Sequence, residues 1–228
     1  MNAASIPVTK LQDDFYDWYT RHDAKVRAAA THHYDLIFIG DSITHFFAGH
    51  PGFTNRGETV WQEFYGSRNA LNLGFGWDRT QNVLWRLQHR EFVGQTPKLI
   101  VLNIGTNNLT GTNYAPTSTP AQVAEAIAEI VQVIRRMSPA THILLMGVFP
   151  RGSVNDPLRA PVRELNALLS TYAAGQKEMT FMDIGPRFLA PDGELLPGML
   201  PDQCHPSTVG YRVWAEAIEP VVNRFLPR

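Results

Sequence analysis

A parallel β-sheet with helices on both faces is the fold this sequence predicts, and three observations carry it. Short runs rich in Ile, Val and Leu recur at 35–39, 70–73, 99–104, 143–148 and 180–183, reading as five buried strands. Runs that are apolar at successive positions belong to strands covered on both faces, as in parallel sheets. Segments with helical periodicity separate them, and strand–helix alternation of this kind builds an α/β layered domain. The length of 228 residues and the 44% apolar content suffice for one sizeable core. All of 1–228 is therefore expected to form a single domain, with its core at about 34–225 and an N-terminal extension at 1–33.

Taken in chain order, the first strand runs into Gly40-Asp41-Ser42-Ile43 and the second into Gly74-Phe75-Gly76-Trp77-Asp78, ahead of a helix expected at 79–87. The third runs into Gly105-Thr106-Asn107. The polar connection at 109–120 reads equally as a lid and as a tolerated surface insertion. Thr119 as N-cap, Pro120 at the first helical position and Gln122 at the third then announce a helix. That helix places Val123, Ile127, Ile130, Val131 and Ile134 on one face. Further helices are expected at 161–172 and 207–225, the last preceded by Asp202-Gln203-Cys204-His205 and Pro206. Ligands of open parallel sheets bind outside the carboxyl ends of the strands, and Ser42, the 74–77 turn and Asn107 all fall on that rim.

Composition narrows the function classes. Twenty basic and 21 acidic residues give a formal net charge of -1, so the chain carries no electrostatic footprint for nucleic acid or an anionic membrane. A single cysteine, Cys204, excludes an intramolecular disulfide, and no metal-ligand spacing is present. The reading therefore implies no metal and no cofactor. No apolar run approaches the ~20 residues of a bilayer span. The opening Met1-Asn2-Ala3-Ala4-Ser5 lacks the pattern of a secretory leader. A cytoplasmic location is the default expectation, secreted or periplasmic if a signal peptide has been removed. A homo-oligomer stays open.

The four rim segments supply what acyl transfer by a serine requires. Such a serine needs a general base to take its proton and a third group to orient the base. Ser42 at a strand end suits the first role, although Gly-Asp-Ser also reads as a plain helix cap. Asp202, three residues before His205, can accept from one imidazole nitrogen and leave the other facing Ser42, while Pro206 constrains the ring's direction. The oxygen that becomes negative needs aimed donors. Asn107 offers a side-chain amide and the 74–78 turn offers backbone N–H groups, each also explicable as turn chemistry. Asn103 should point away from the rim, and Asn108 is a poorer candidate. His32, His33, His45 and His50 read as surface or packing residues. Phe46, Phe47, Trp61 and Trp77 divide between pocket and core, and Cys204 reads as a small packed side chain.

In this order the four segments resemble the blocks of the SGNH hydrolases, the GDSL family of lipases and esterases. The likeness runs from about Tyr34 to Phe225 and is strongest at LNLGFGWDRTQNVLWRL (71–87), VLNIGTNN (101–108) and GVFPRGSVNDPLR (147–159). These are similar to the branch holding the catalytic subunits of platelet-activating factor acetylhydrolase and bacterial glycan acetylesterases. The resemblance implies a flavodoxin-like three-layer α/β/α sandwich with a five-stranded parallel sheet. It implies Ser42 as nucleophile, His205 as base and Asp202 as its partner. The oxyanion hole would combine the Ser42 and Trp77 backbone N–H groups with the Asn107 side chain. Asp41, Phe46, Gly76 and Trp77 are expected around the substrate pocket. Trp77 stands where the family has glycine; it keeps the donor if the turn needs no positive φ, and its ring should favour short acyl groups. The implied activity is hydrolysis of a short acyl oxygen ester, acetyl foremost, on a small molecule or glycan, with acetylated carbohydrate ahead of phospholipid. A glycan-binding domain without catalysis is the competing expectation from another class.

Overall fold

The computed structural model describes residues 1–50, 52–54 and 56–227. Its sheet contains β1 (Leu36–Gly40), β2 (Ala70–Gly74), β3 (Leu99–Asn103), β4 (His142–Met146) and β5 (Met179–Met182), all parallel, in the order β2-β1-β3-β4-β5. This is the flavodoxin-like order, in which the chain leaves β1 on one side and returns on the other through β3. The crevice between the carboxyl ends of β1 and β3 is thus the topological switch point.

Period-two alternation along the strands divides the core into two layers. Ile37, Ile39, Ile100, Leu102, Ile143 and Leu145 face one side, where α4 (Thr80–Arg86), α6 (Pro120–Met137) and α7 (Arg159–Ala174) cover them. Leu36, Phe38, Leu99, Val101, Leu144 and Met146 face the other, under α2 (Ser42–Phe47), α3 (Glu58–Tyr65) and α8 (Thr208–Phe225). The α6 cap forms as the sequence predicts: Thr119 Oγ1 accepts from Gln122 N–H at 3.2 Å, and Gln122 Oε1 accepts from Thr119 N–H at 2.9 Å. The expected strand ends at Ile104 and Val148 lie one or two residues beyond the ladder, as the chain turns off the rim.

Two helices escape the sequence pattern. In α1 (Trp18–Thr31) only Trp18, His22 and Ala29 are buried, so no apolar stripe marks it. The short α3 spans only about two turns, too few for a repeat to stand out. Residues 1–33 pack onto the rim of the domain. Asn2 donates to the Gln122 carbonyl at 2.8 Å, and the Ala4 carbonyl accepts from the Thr80 hydroxyl at 2.8 Å. The 109–120 connection is strapped down, since Arg79 donates to the carbonyls of Pro116 at 2.9 Å and Ala115 at 3.1 Å.

Helix α2 sits directly on the strand ends because two glycines admit it. A Cβ on Gly74 would meet the backbone of Thr44 and His45, and one on Gly40 would meet the Asn103 carbonyl and the Thr44 side chain. We expect Gly74→Ala to push α2 off β2 and destabilise the fold by about 1–3 kcal/mol. A urea unfolding curve checks this, and an unshifted midpoint would contradict the packing described.

Candidate active site

Ser42 is the first residue of α2, whose N-cap is Asp41, with Asp41 Oδ1 accepting from Ile43 N–H at 2.9 Å. The cap leaves Ser42 as the first residue of the helix, facing the cavity. The Ser42 Oγ lies 2.8 Å from His205 Nε2, and His205 Nδ1 lies 3.0 Å from Asp202 Oδ2. These partners assign Nδ1 as the protonated ring nitrogen and leave Nε2 to accept the serine hydroxyl. Asp202 Oδ1 also accepts from the N–H groups of His205 at 2.7 Å and Cys204 at 3.1 Å, a fold allowed by Gln203 in the left-handed region at φ 62°. Burial would raise the Asp202 carboxyl, but the hydrogen bonds from His205 and Cys204 outweigh it and hold the group well below the usual carboxylate range. A charged carboxylate is thereby kept beside the His205 ring.

Sequence reasoning missed Arg56. Its Nη2 donates to Asp202 Oδ2 at 3.0 Å, its Nη1 reaches the His205 and Pro206 carbonyls at 3.4 Å, and its own carbonyl accepts from Thr208. It staples the loop at 202–206 to the start of α8. The pairing spans about 150 residues and leaves no local signature. Phe46 stacks on the His205 ring at a centroid distance of 4.7 Å and 28°, fixing the ring's plane.

The 74–78 turn is clamped almost completely. Gly74 N–H donates to Asn72 Oδ1, Phe75 N–H to the Gly40 carbonyl, Gly76 N–H to His45 Nδ1 and Asp78 N–H to the Phe75 carbonyl. The Gly74 carbonyl accepts from Arg21, the Gly76 carbonyl from Tyr16 and the Asp78 carbonyl from Asn107 Nδ2 at 2.9 Å. Among the described residues, Trp77 N–H alone of the five has no protein acceptor. Asn107 spends one amide hydrogen on Asp78, and its side chain lines the cavity beside Ser42 with the other available. Trp77 does sit at positive φ, 63°, so the condition set from sequence is not met. The turn imposes the left-handed conformation on a bulky residue at a cost of about 1–2 kcal/mol, and the backbone donor is kept regardless.

Beneath the turn lies a buried charge network. Asp78 accepts from Trp18 Nε1 and from Arg86 Nε, each at 2.7 Å. Arg86 also pairs with Glu91, donates to the Leu73 carbonyl at 3.2 Å and stacks on the Phe75 face at 4.0 Å. Burial opposes its charge, but Glu91 and Asp78 outweigh burial and raise the guanidinium above its ordinary value. His45, read from sequence as a surface or packing residue, is buried and held neutral by burial and by neighbouring Arg21 and His50, as an acceptor for Gly76 N–H requires.

The cavity at this rim measures about 300 Å³, and its walls include Ser42, Phe46, Trp77, Asn107 and His205. Asp41 and Gly76, expected in its wall, lie behind it. Asp41 is wholly buried under α2, and Gly76 is covered by Asp14. Phe47 and Trp61 belong to the core. Asn103 turns inward to the Gly147 carbonyl, and Asn108 is a buried peg bonded to Thr80 and Gln81. Cys204 lines the cavity with its thiol pushed up to about 11 by burial, which keeps it from acting as a thiolate. Among the described residues no group of three or more His, Cys, Asp or Glu side chains is placed to hold a metal ion. No helix there is long and apolar enough to cross a membrane.

Residues 38–213 match the GDSL-like Lipase/Acylhydrolase family. The chain belongs to this family. A GDSL-like acylhydrolase is a carboxylic ester hydrolase, in keeping with a serine, a histidine and two candidate oxyanion donors around one cavity. The chain is 33% identical over 227 residues to the platelet-activating factor acetylhydrolase IB subunit alpha1 of Rattus norvegicus, covering 99% of this chain and 91% of that one. In fold it is similar to a GDSL-like lipase of Bacteroides thetaiotaomicron, with a TM-score of 0.70 at 20% identity over 91% of this chain and 98% of that one. It is likewise similar to an acetyl xylan esterase, with a TM-score of 0.67 at 18% identity over 82% and 98% of the two chains.

The site carries a pH signature. Burial pushes the Asp41 carboxyl up to about 7, whereas in an unfolded chain it titrates near ~3.9. Between about pH 4 and 7 the folded protein retains a proton that the unfolded chain has released, so this group's contribution to stability is lost as pH rises through that window. In Asp41→Asn that contribution is absent. Urea midpoints from pH 4 to 8 are expected to fall less steeply in the variant than in wild type, and equal slopes would contradict the assignment.

Proposed function

We propose that this hydrolase is a serine acetylesterase acting on O-acetylated carbohydrate through Ser42, His205 and Asp202. The observation that carries the reading is the 2.8 Å contact between Ser42 Oγ and His205 Nε2, with a charged carboxylate behind the ring. In the proposed mechanism Ser42 Oγ attacks the ester carbonyl carbon while its proton passes to His205 Nε2. The carbonyl oxygen becomes negative and accepts hydrogen bonds from Ser42 N–H, Trp77 N–H and Asn107 Nδ2. Collapse breaks the bond to the alcohol oxygen, which takes the proton from His205, and leaves an acetyl group on Ser42. Water then attacks that acyl-enzyme with His205 as base, releasing acetate and restoring the serine.

An acetyl group is common to the names of the relatives, platelet-activating factor acetylhydrolase and acetyl xylan esterase. The Trp77 ring in the wall of a cavity of about 300 Å³ supports a small acyl group. The 33% identity to the acetylhydrolase subunit favours a second reading, an acetylated phospholipid as substrate. Turnover of acetylated xylo-oligosaccharide against a short-chain acetyl phospholipid separates the two.

Two kinetic outcomes test the mechanism. Ser42→Ala is expected to lose at least about 1,000-fold in kcat on p-nitrophenyl acetate, and Asn107→Ala about 100 to 1,000-fold. Retention of wild-type kcat in either variant would remove that residue's role. Wild type should hydrolyse p-nitrophenyl acetate faster than the octanoate, and the reverse order would refute the short-acyl preference.

A further inference from the structure

The N-terminal segment brings two side chains into the cavity wall that none of the rim motifs announces, Asp14 and Phe15. It is held there by the Tyr16 hydroxyl on the Gly76 carbonyl at 3.3 Å and by the Trp18 indole on Asp78 at 2.7 Å. Gly76 has no side chain to hold Asp14 away, since a Cβ there would collide with its carboxylate. The Asp14 side chain is only 8% exposed. Its Oδ1 accepts from Phe15 N–H at 2.7 Å, while its Oδ2 stands 3.8 Å from His50 Nε2, beyond hydrogen-bond reach. Among the described residues Oδ2 has no hydrogen-bond donor. This acceptor lines the cavity, where a ligand hydroxyl can donate to it.

Around this acceptor stand two aromatic rings left open to solvent, Phe15 at 73% and Trp77 at 41% exposure. Trp77 is held there at the cost of a left-handed backbone. Phe15 meets Phe53 edge-on at 5.5 Å, and Phe53 packs on Phe46, which stacks on His205. An unbroken aromatic series thus joins the mouth to the base. Across the cavity wall, Arg151 commits Nη1 to the hydroxyls of Thr106 and Thr110. Its Nε and Nη2 have no protein acceptor among the described residues.

Open aromatic faces, a carboxylate acceptor and guanidinium donors match the chemistry of a pyranose ring. Such a ring presents C–H groups to an aromatic face, and its hydroxyls both donate and accept. An acyl tail would leave Asp14 Oδ2 unsatisfied, and a phosphodiester would bring a second negative charge toward it. We propose that Asp14, Phe15 and Trp77 form a subsite for the sugar ring that bears the ester, with Phe15 and Trp77 stacking on it and Asp14 accepting from its hydroxyls. The subsite rests on the esterase reading of the same cavity and specifies which residues choose the alcohol portion.

Calorimetric titration of xylotriose, which carries no ester, tests the subsite apart from catalysis. Wild type should bind it. Asp14→Asn should weaken binding by about tenfold and Phe15→Ala by about threefold or more. The ratio of kcat/KM on acetylated xylotriose to that on p-nitrophenyl acetate should fall by similar factors. Phe15 is largely exposed and Asp14→Asn keeps the side chain's shape, so both variants are expected to fold, with thermal midpoints as the control. Hydrolysis of p-nitrophenyl acetate without xylotriose binding, or with binding and selectivity unchanged in both variants, would overturn the subsite and leave the esterase standing. Xylotriose binding that weakens in both variants without hydrolysis of any ester would sustain the subsite and remove the esterase.

Discussion

The ion pair between Asp78 and Arg86 is the interaction on which the rest of the site depends. Taking both charges out of water is expensive, and such a pair persists only when hydrogen bonds satisfy what remains of each group. Here they do. Trp18 takes the second oxygen of Asp78, while Glu91, the Leu73 carbonyl and the Phe75 ring take the remaining faces of Arg86. The result is a fixed point directly under the turn that carries Trp77. With the Asp78 side chain immobilised, its carbonyl becomes a rigid acceptor that aims Asn107, and its N–H closes the turn onto Phe75. Oxyanion donors, the role proposed for Trp77 N–H and Asn107, help only if they already point at the developing charge, and the buried network supplies that rigidity.

A second consequence concerns residues 1–33. Trp18, Tyr16 and Arg21 all spend polar atoms on the 74–78 turn, so the segment helps build the site as well as covering it. The same packing determines the charge state of His45. Surrounded by Tyr16, His50 and the positive field of Arg21, it stays neutral and serves as acceptor to Gly76 N–H. His205 is partly exposed and has carboxylate support. The two histidines thus stand in different surroundings: His45 is desolvated without a counter-charge, and His205 is paired with Asp202.

Much of this was legible in the residues. The strands show as short, largely apolar runs, β1, β3 and β4 being covered on both faces, and α6 announces itself through Thr119, Pro120 and Gln122. Ser42, Asn107, Asp202 and His205 could be read because each lies at a strand end or helix start with a local pattern around it. What stayed hidden is nonlocal. The partners Trp18 and Asp78 are 60 residues apart, and Arg56 and Asp202 are 146 apart. Such pairings follow from the folded arrangement, and no periodicity encodes them. The φ of Trp77 was hidden for a related reason. Glycine usually marks a left-handed position, and here the surrounding clamps impose one on tryptophan instead. Likewise α1 lacks an apolar stripe because its buried face is spent on Trp18 and His22, both engaged with charged groups.

The central claim is that Ser42 is an activated nucleophile within this framework, and covalent capture tests it most directly. Incubation with a fluorophosphonate, followed by mass spectrometry of the digested protein, should find one adduct per chain on the peptide containing Ser42, with labelling strongly reduced in His205→Gln. An adduct at another residue, or none on folded wild-type protein, would contradict the account.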